Sequence, residues 1–156
     1  MDEYITNDVL NEVFYVDGSL RDIYVFNVSL SDWQKLFDWI RLSPWEVIFY
    51  KDGQVTLYKG TDVAKFFEEK ESNGIHLMSI NINGVLVNCH FFSESEIEFD
   101  IDPKQVNSMS DANIVFEFMK KLSKMLGKES ILTEENTPEY PLVTSESDGT
   151  LIINVC

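Results

Sequence analysis

Five carboxylates recur at every second position of one stretch: Glu94, Glu96, Glu98, Asp100 and Asp102. Ile97, Phe99 and Ile101 fill alternate positions. Period two predicts a half-buried strand with its acids in one row. Neighbouring acids would stand ~6.7 Å apart. That falls within the ~5–9.5 Å between the two carboxyls of a glycoside hydrolase. Such chemistry also needs a cleft and one carboxyl kept protonated, whereas an open sheet face solvates them all. Neighbouring charges would repel by about 0.6 kcal/mol in bulk water, a tolerable surface cost. A nucleic-acid strand carries one phosphate per ~3.4 Å, so the row has about half that density. It is a weak mimic of nucleic acid unless a second acidic segment lies beside it.

The other reactive side chains are few. His76, His90, Cys89 and Cys156 are the only soft metal-ligand candidates. A hairpin turning at Asn83-Gly84 puts His76 and Cys89 on one face and His90 on the other, so they cannot converge. Glu98, Asp100 and Asp102 lack the turn glycine of a calcium loop. No metal or other cofactor is expected. His90, near Asn88, is the only candidate general base, and Cys89 should face the core and stay inert. The seven glycines are scattered singly, with no phosphate-binding loop among them.

These residues must be positioned by the elements around them. The Asn83-Gly84 hairpin opposes Ile82 with Val85, Ile80 with Val87, and Met78 with Cys89. That apolar face predicts the floor of the core. The opposite face carries Leu77, Ser79, Asn81, Leu86, Asn88, His90 and Phe92. A second hairpin spans Trp45 to Tyr58 around Asp52-Gly53, pairing Tyr50 with Val55, Ile48 with Leu57 and Glu46 with Lys59. An apolar run from Val9 to Val16 precedes Asp17-Gly18 and a strand from Ile23 to Val28, which reads as a first hairpin.

Three helices are expected. The first follows Ser29, which caps with Asp32. Its Trp33, Leu36, Phe37 and Ile40 make one apolar stripe, and Trp39 lies off that stripe. The second runs from Asp62 to about Ser72, capped by Thr61 and stopped by Asn73-Gly74. The third runs from about Ser110 to Leu126 and stops at Gly127. Its lysines Lys120, Lys121, Lys124 and Lys128 suit a helix C-terminus electrostatically. Two prolines, Pro138 and Pro141, mark residues 133–149 as a long acidic loop. Thr150 to Val155 reads as a final strand.

The order is ββ-α-ββ-α-βββ-α-β. It predicts an α+β fold: a mostly antiparallel sheet with about three helices packed on one face. At 156 residues the chain has the usual size of one domain, taken as 1–156 with 1–8 frayed. The apolar fraction is 44%, enough for a core without disulfides. No apolar run approaches a membrane span, and the N-terminal Met-Asp-Glu-Tyr is too acidic for a signal peptide. A cytoplasmic protein is expected.

The net charge is −15, with −5 on residues 94–102 and −6 on 129–156. Such a field repels nucleic acid and anionic membranes and attracts basic partners. The leading expectation is a small non-catalytic binding protein, of bacterial or phage type, that engages a basic protein. An inhibitor, immunity-type or anti-defence protein acting on a toxin or a nucleic-acid-binding enzyme is its concrete form. Expected contacts are Glu94, Glu96, Glu98, Asp100, Asp102, Glu134, Glu135, Glu139, Tyr140 and Trp39. One alternative is a small-ligand or nucleotide module with a pocket between the sheet, Trp39, His90 and the 134–142 loop. Another is a hydrolase using His90. Homodimerisation through an uncovered sheet face is compatible with each.

Overall fold

A computed structural model describes residues 7–56, 62–70 and 76–154. Nine strands form one sheet, and every pairing is antiparallel. In chain order the elements are α1 (Asn7–Val13), β1 (Arg21–Phe26), α2 (Leu30–Leu42), β2 (Glu46–Lys51) and β3 (Gln54–Thr56). Then come α3 (Val63–Lys70), β4 (His76–Ile82), β5 (Val85–Ser93) and β6 (Glu96–Ile101). A 3₁₀ turn (Pro103–Gln105) leads to α4 (Met109–Leu126), β7 (Ser130–Glu134), β8 (Val143–Ser145) and β9 (Leu151–Ile153). The sheet order is β3-β2-β4-β5-β6-β1-β7-β8-β9. This is an α+β architecture, with four helices among the described residues where about three are expected.

The extra helix is α1. The run from Val9 to Val16 does not form a hairpin with β1. Its apolar residues fall at positions 9, 10, 13 and 14, which is helical spacing and not alternation. Val13 and Phe14 are buried, and the Phe14 ring lies 5.9 Å from that of Phe116 in α4. Residues 7 and 8, expected to be frayed, open this helix.

The other two expected hairpins form at their type I′ signatures, with Asp52 and Asn83 at positive φ before Gly53 and Gly84. The register pairs Ile82 with Val85, Ile80 with Val87, Met78 with Cys89, and Tyr50 with Val55. The expected partners Leu57 and Lys59, the cap Thr61, the stop Asn73-Gly74, and the terminal Val155 and Cys156 lie outside the described residues. Ser29 caps α2 reciprocally with Asp32, as its spacing predicts. Ser108 caps α4, whose C-terminus closes at Gly127.

The helices share one face of the sheet. Trp33 of α2 and Phe66 of α3 pack on Phe91 of β5 at 5.6 and 4.7 Å between ring centres. Phe118 of α4 meets Phe99 of β6 at 5.2 Å. His76 sits among the rings of Phe49 and Phe66 on this face. No helix among the described residues packs on the opposite face.

The stretch 133–149 is not one loop. Glu134 ends β7, and Val143–Ser145 forms β8 against it. Residues 135–142 loop out, and 146–149 form the turn into β9. Val143 and Ser145 are buried, which brings this short segment into the sheet despite the preceding Pro141.

Strand β1 enters between β6 and β7, far from both in sequence. Its Arg21 is fully buried on the helix side. The guanidinium donates to the carbonyls of Val13, Tyr15 and Leu20 at 2.7, 2.7 and 3.0 Å, and the Tyr15 ring lies 4.4 Å from it. One side chain thereby fixes the end of α1 to the sheet. Removing it strands the buried Val13 carbonyl, worth ~1–3 kcal/mol when left unsatisfied, and two part-buried carbonyls besides. We expect Arg21→Ala to lower unfolding free energy by about 2–4 kcal/mol in urea titrations. A loss under ~1 kcal/mol would show that α1 docks without it.

Candidate functional site

The acidic strand β6 lies between β5 and β1 on the helix-free face. Its alternation sends Ile97, Phe99 and Ile101 into the core, all fully buried, and Glu96, Glu98 and Asp100 outward. The row is shorter than the sequence predicts. Glu94 lies in the β5–β6 turn, where its carbonyl accepts from the Trp33 indole at 3.1 Å. Asp102 leaves the strand to cap the 3₁₀ turn, accepting from the Lys104 amide at 3.0 Å. Turn and cap chemistry claim the two ends of the row.

The acids instead cluster across strands. Asp22 of β1 stands opposite Asp100, which on its other side faces Asn88 of β5. Glu98 stands between Tyr24 of β1 and His90 of β5. Asp100 binds both neighbours on β5. One oxygen accepts from Asn88 Nδ2 at 3.1 Å, and the other meets His90 Nε2 in a short contact. Asp22 is buried beneath the 135–142 loop. It accepts from the Asn136 amide at 2.8 Å and from the Tyr24 hydroxyl at 3.0 Å. The side chains of Glu96 and Glu98 make no hydrogen bond or ion pair with any described residue.

This arrangement raises four proton affinities. Burial pushes the Glu98 carboxyl up to about 7, aided by the charges of Asp22, Glu96 and Asp100 and opposed by His90. Burial also raises Asp22, partly offset by its hydrogen bonds from Asn136 and Tyr24. Burial and then Asp22 raise the Tyr24 phenol. At His90 burial alone would lower the value, but the Asp100 hydrogen bond and the charges of Asp100, Glu98 and Asp22 carry it upward.

The aromatic residues of this face come in two stacks. His90 and Phe92 lie parallel at 4.9 Å on β5, and Tyr24 and Phe26 at 5.3 Å on β1. The register slips between β5 and β6, from His90 opposite Glu98 to Ser93 opposite Glu96. That is one extra residue on β5, a bulge. Phe92 there is 66% exposed and Phe26 39%.

The remaining expected contacts divide. Glu134 accepts from the Tyr15 hydroxyl at 2.6 Å, and Glu135 from the Leu20 amide at 2.8 Å. Both carboxylates hold the N-terminal segment in place. Glu139 and Tyr140 stand exposed at the loop tip. Trp39 lies on the helix side, its ring 5.2 Å from Trp45 and 5.5 Å from Phe118. It is therefore across the sheet from His90, and the pocket expected between them does not form. Cys89 is buried opposite His90, with its thiol pushed far up by burial. No serine, threonine or cysteine side chain among the described residues hydrogen bonds to the His90 ring, and the Cys89 thiol donates to the His90 backbone carbonyl at 3.7 Å. No three metal-ligating side chains among the described residues are arranged to hold a metal ion.

Sequence reasoning missed Asp22, Tyr24 and Phe26 as partners of the acids. Their alternation with Ile23 and Val25 was a signal of a shared face, but nothing local placed that face beside β6. No protein-family model, curated protein or solved structure matches the chain. No helix among the described residues is long and apolar enough to cross a membrane.

The raised proton affinities set a pH dependence. An unfolded Glu98 ionises near 4.5 and the folded one near 7. Between these values the folded state holds a proton that the unfolded state lacks, so stability falls as pH rises. His90 acts in the same direction. Its contribution is complete below 6.5 and is lost as pH climbs through its raised value. The thermal midpoint is expected to rise between pH 8 and pH 5.5. Glu98→Gln should flatten that rise and exceed the parent in stability at pH 8. A variant profile as steep as the parent's would assign the slope to overall charge instead.

Proposed function

We propose that this chain is a small acidic binding protein without catalytic activity, and that it engages a basic protein through the helix-free face of its sheet. The single observation that carries this reading is the pair Glu96 and Glu98. They stand half-buried on an uncovered face, and neither carboxylate makes a hydrogen bond or ion pair with a described side chain. A protein of net charge −15 attracts basic partners at long range, and unpaired carboxylates at the contact give that attraction a destination. An inhibitor, immunity-type or anti-defence role in a bacterial or phage cytoplasm is the concrete form, with a toxin or nucleic-acid-binding enzyme as target. The loop tip at Glu139 and Tyr140 extends the acidic surface beyond the sheet. A second copy of the chain suits this face poorly, because a two-fold contact would bring the same carboxylates together.

The reading is tested by affinity capture from host lysate at low and high salt, with the parent and with Glu96→Lys/Glu98→Lys. The parent should retain a basic protein that high salt releases. The double variant should associate with it roughly tenfold more slowly, with a weaker salt dependence. An unchanged rate would remove the sheet face from the interface. Capture of no basic protein at either salt would remove the function itself.

A further inference from the structure

We propose that the cleft between α4, the start of β2 and the β4–β5 turn binds the adenine base of a free nucleoside or nucleotide. The site lies on the helix side of the sheet, so it is separate from the acidic face and does not depend on it. The cleft has a volume of about 240 Å³, with Ile82 and Ile114 in its lining. That is just under the ~300–1,000 Å³ of sites for drug-sized ligands. It therefore takes one ring system and leaves the rest of a ligand at the rim. A cleft of this size between a helix and a turn ordinarily holds water and nothing else. A polar group and an aromatic wall set this one apart.

The polar group is Asn113, in the second turn of α4. Neither end of its carboxamide has a hydrogen-bond partner among the described residues, and its Oδ1 is buried. Burying such an oxygen unpaired is costly. The helix gains nothing in return, because leucine or methionine would favour it more. Rotation about Cβ–Cγ turns the planar amide edge to the cleft, with Nδ2 as donor beside Oδ1 as acceptor. Adenine presents the matching pair, an N6 amino donor beside the N7 acceptor, which asparagine reads bidentately. Asn83, in the β4–β5 turn, brings to the same cleft a second carboxamide without a described partner.

The wall is Trp45. Its ring is partly exposed and is braced by Trp39 at 5.2 Å, which itself stacks on Phe118 at 5.5 Å. A fixed indole beside an amide edge suits a flat base, since every base has a π face to stack. The rim suits what a base carries. Lys121 lines the cleft and makes no ion pair with a described residue, so it is available to a phosphate. Glu117 also lines it. Lys120 donates to one Glu117 oxygen at 3.4 Å, and the other is open to a sugar hydroxyl. The net charge of −15 opposes a polyanionic strand, which leaves the free mononucleotide as occupant.

The test titrates adenosine, AMP, purine riboside and a short oligodeoxyadenylate into the ¹⁵N-labelled full chain. Adenosine should shift amides of residues 45, 82–84 and 113–121 and quench indole fluorescence. Purine riboside lacks the N6 amino donor and should bind about fivefold more weakly. AMP should bind about threefold tighter than adenosine. Lys121→Gln should remove that difference and leave adenosine unchanged. Asn113→Leu should weaken adenosine at least about tenfold while raising the thermal midpoint, because an unpaired buried amide is gone. Amide dispersion in each variant reports an intact fold. A cleft that holds water alone gives no shift at any adenosine concentration, which would overturn the inference. So would shifts centred elsewhere, equal affinity for purine riboside, or a strand that binds more tightly than AMP. A lower midpoint in Asn113→Leu with adenosine affinity retained would assign the amide to the fold and overturn it too.

Discussion

The double ladder of β1 is the interaction on which the rest of the structure depends. Without it, one sheet would end at β6 and a separate three-stranded unit would begin at β7. Two consecutive residues on this strand do opposite jobs on opposite faces. Arg21 points toward the helices and gathers carbonyls from the segment that follows α1. Asp22 points the other way and gathers the amide of Asn136 from the loop after β7. Period two makes this division automatic. Both termini are thus tied to the centre of the sheet through one dipeptide. Each tie is a buried polar group with backbone atoms among its partners, so neither tolerates a change of register.

The same insertion creates the electrostatic character of the outer face. On β6 alone, the acids are spaced along a strand and only weakly opposed. Placing β1 alongside sets Asp22 against Asp100, a like-charged cross-strand pair that costs roughly 0.2–1 kcal/mol. The chain meets this locally with His90, Asn88, Tyr24 and Asn136. These groups hydrogen bond to Asp22 and Asp100 and leave the Glu96 and Glu98 carboxylates without a hydrogen bond. A protein held together for stability alone would place a lysine there. The described chain has lysines, but it keeps Lys120, Lys121 and Lys124 on α4.

Local physics made much of this legible in the sequence. The two type I′ hairpins followed from Asp52-Gly53 and Asn83-Gly84. The start of α2 followed from Ser29 and Asp32, and the inward set of β6 from Ile97, Phe99 and Ile101. What escaped was non-local or short. Val9, Leu10, Val13 and Phe14 were read as a strand because the turn after them resembles a hairpin turn. The three residues of β8 are too few to show a period. The acidic row lost Glu94 and Asp102 because side chains at strand ends are available to turns and caps. Nothing in the sequence around Tyr24 shows that it will lie beside Glu98, since that pairing is decided by which sheet edges remain open once the hairpins have formed. The candidate site was therefore partly visible: its carboxylates from their spacing and the His90 and Phe92 face from the hairpin register, but not the neighbouring Tyr24 and Phe26.

The position of β1 also fixes an order of events. During synthesis this strand leaves the ribosome before either of its neighbours exists, because β6 follows some seventy residues later and β7 later still. The β2–β3 and β4–β5 hairpins need only nearby chain and can close while β1 waits. Over that interval Ile23, Val25 and Tyr24 have no ladder to join, and the buried carbonyls that Arg21 serves have no sheet to be held against. The oldest strand in the chain waits longest for both its neighbours. Its two ladders and the acidic face are therefore deferred until residue 134 is free to fold, and β8 and β9 then finish the sheet.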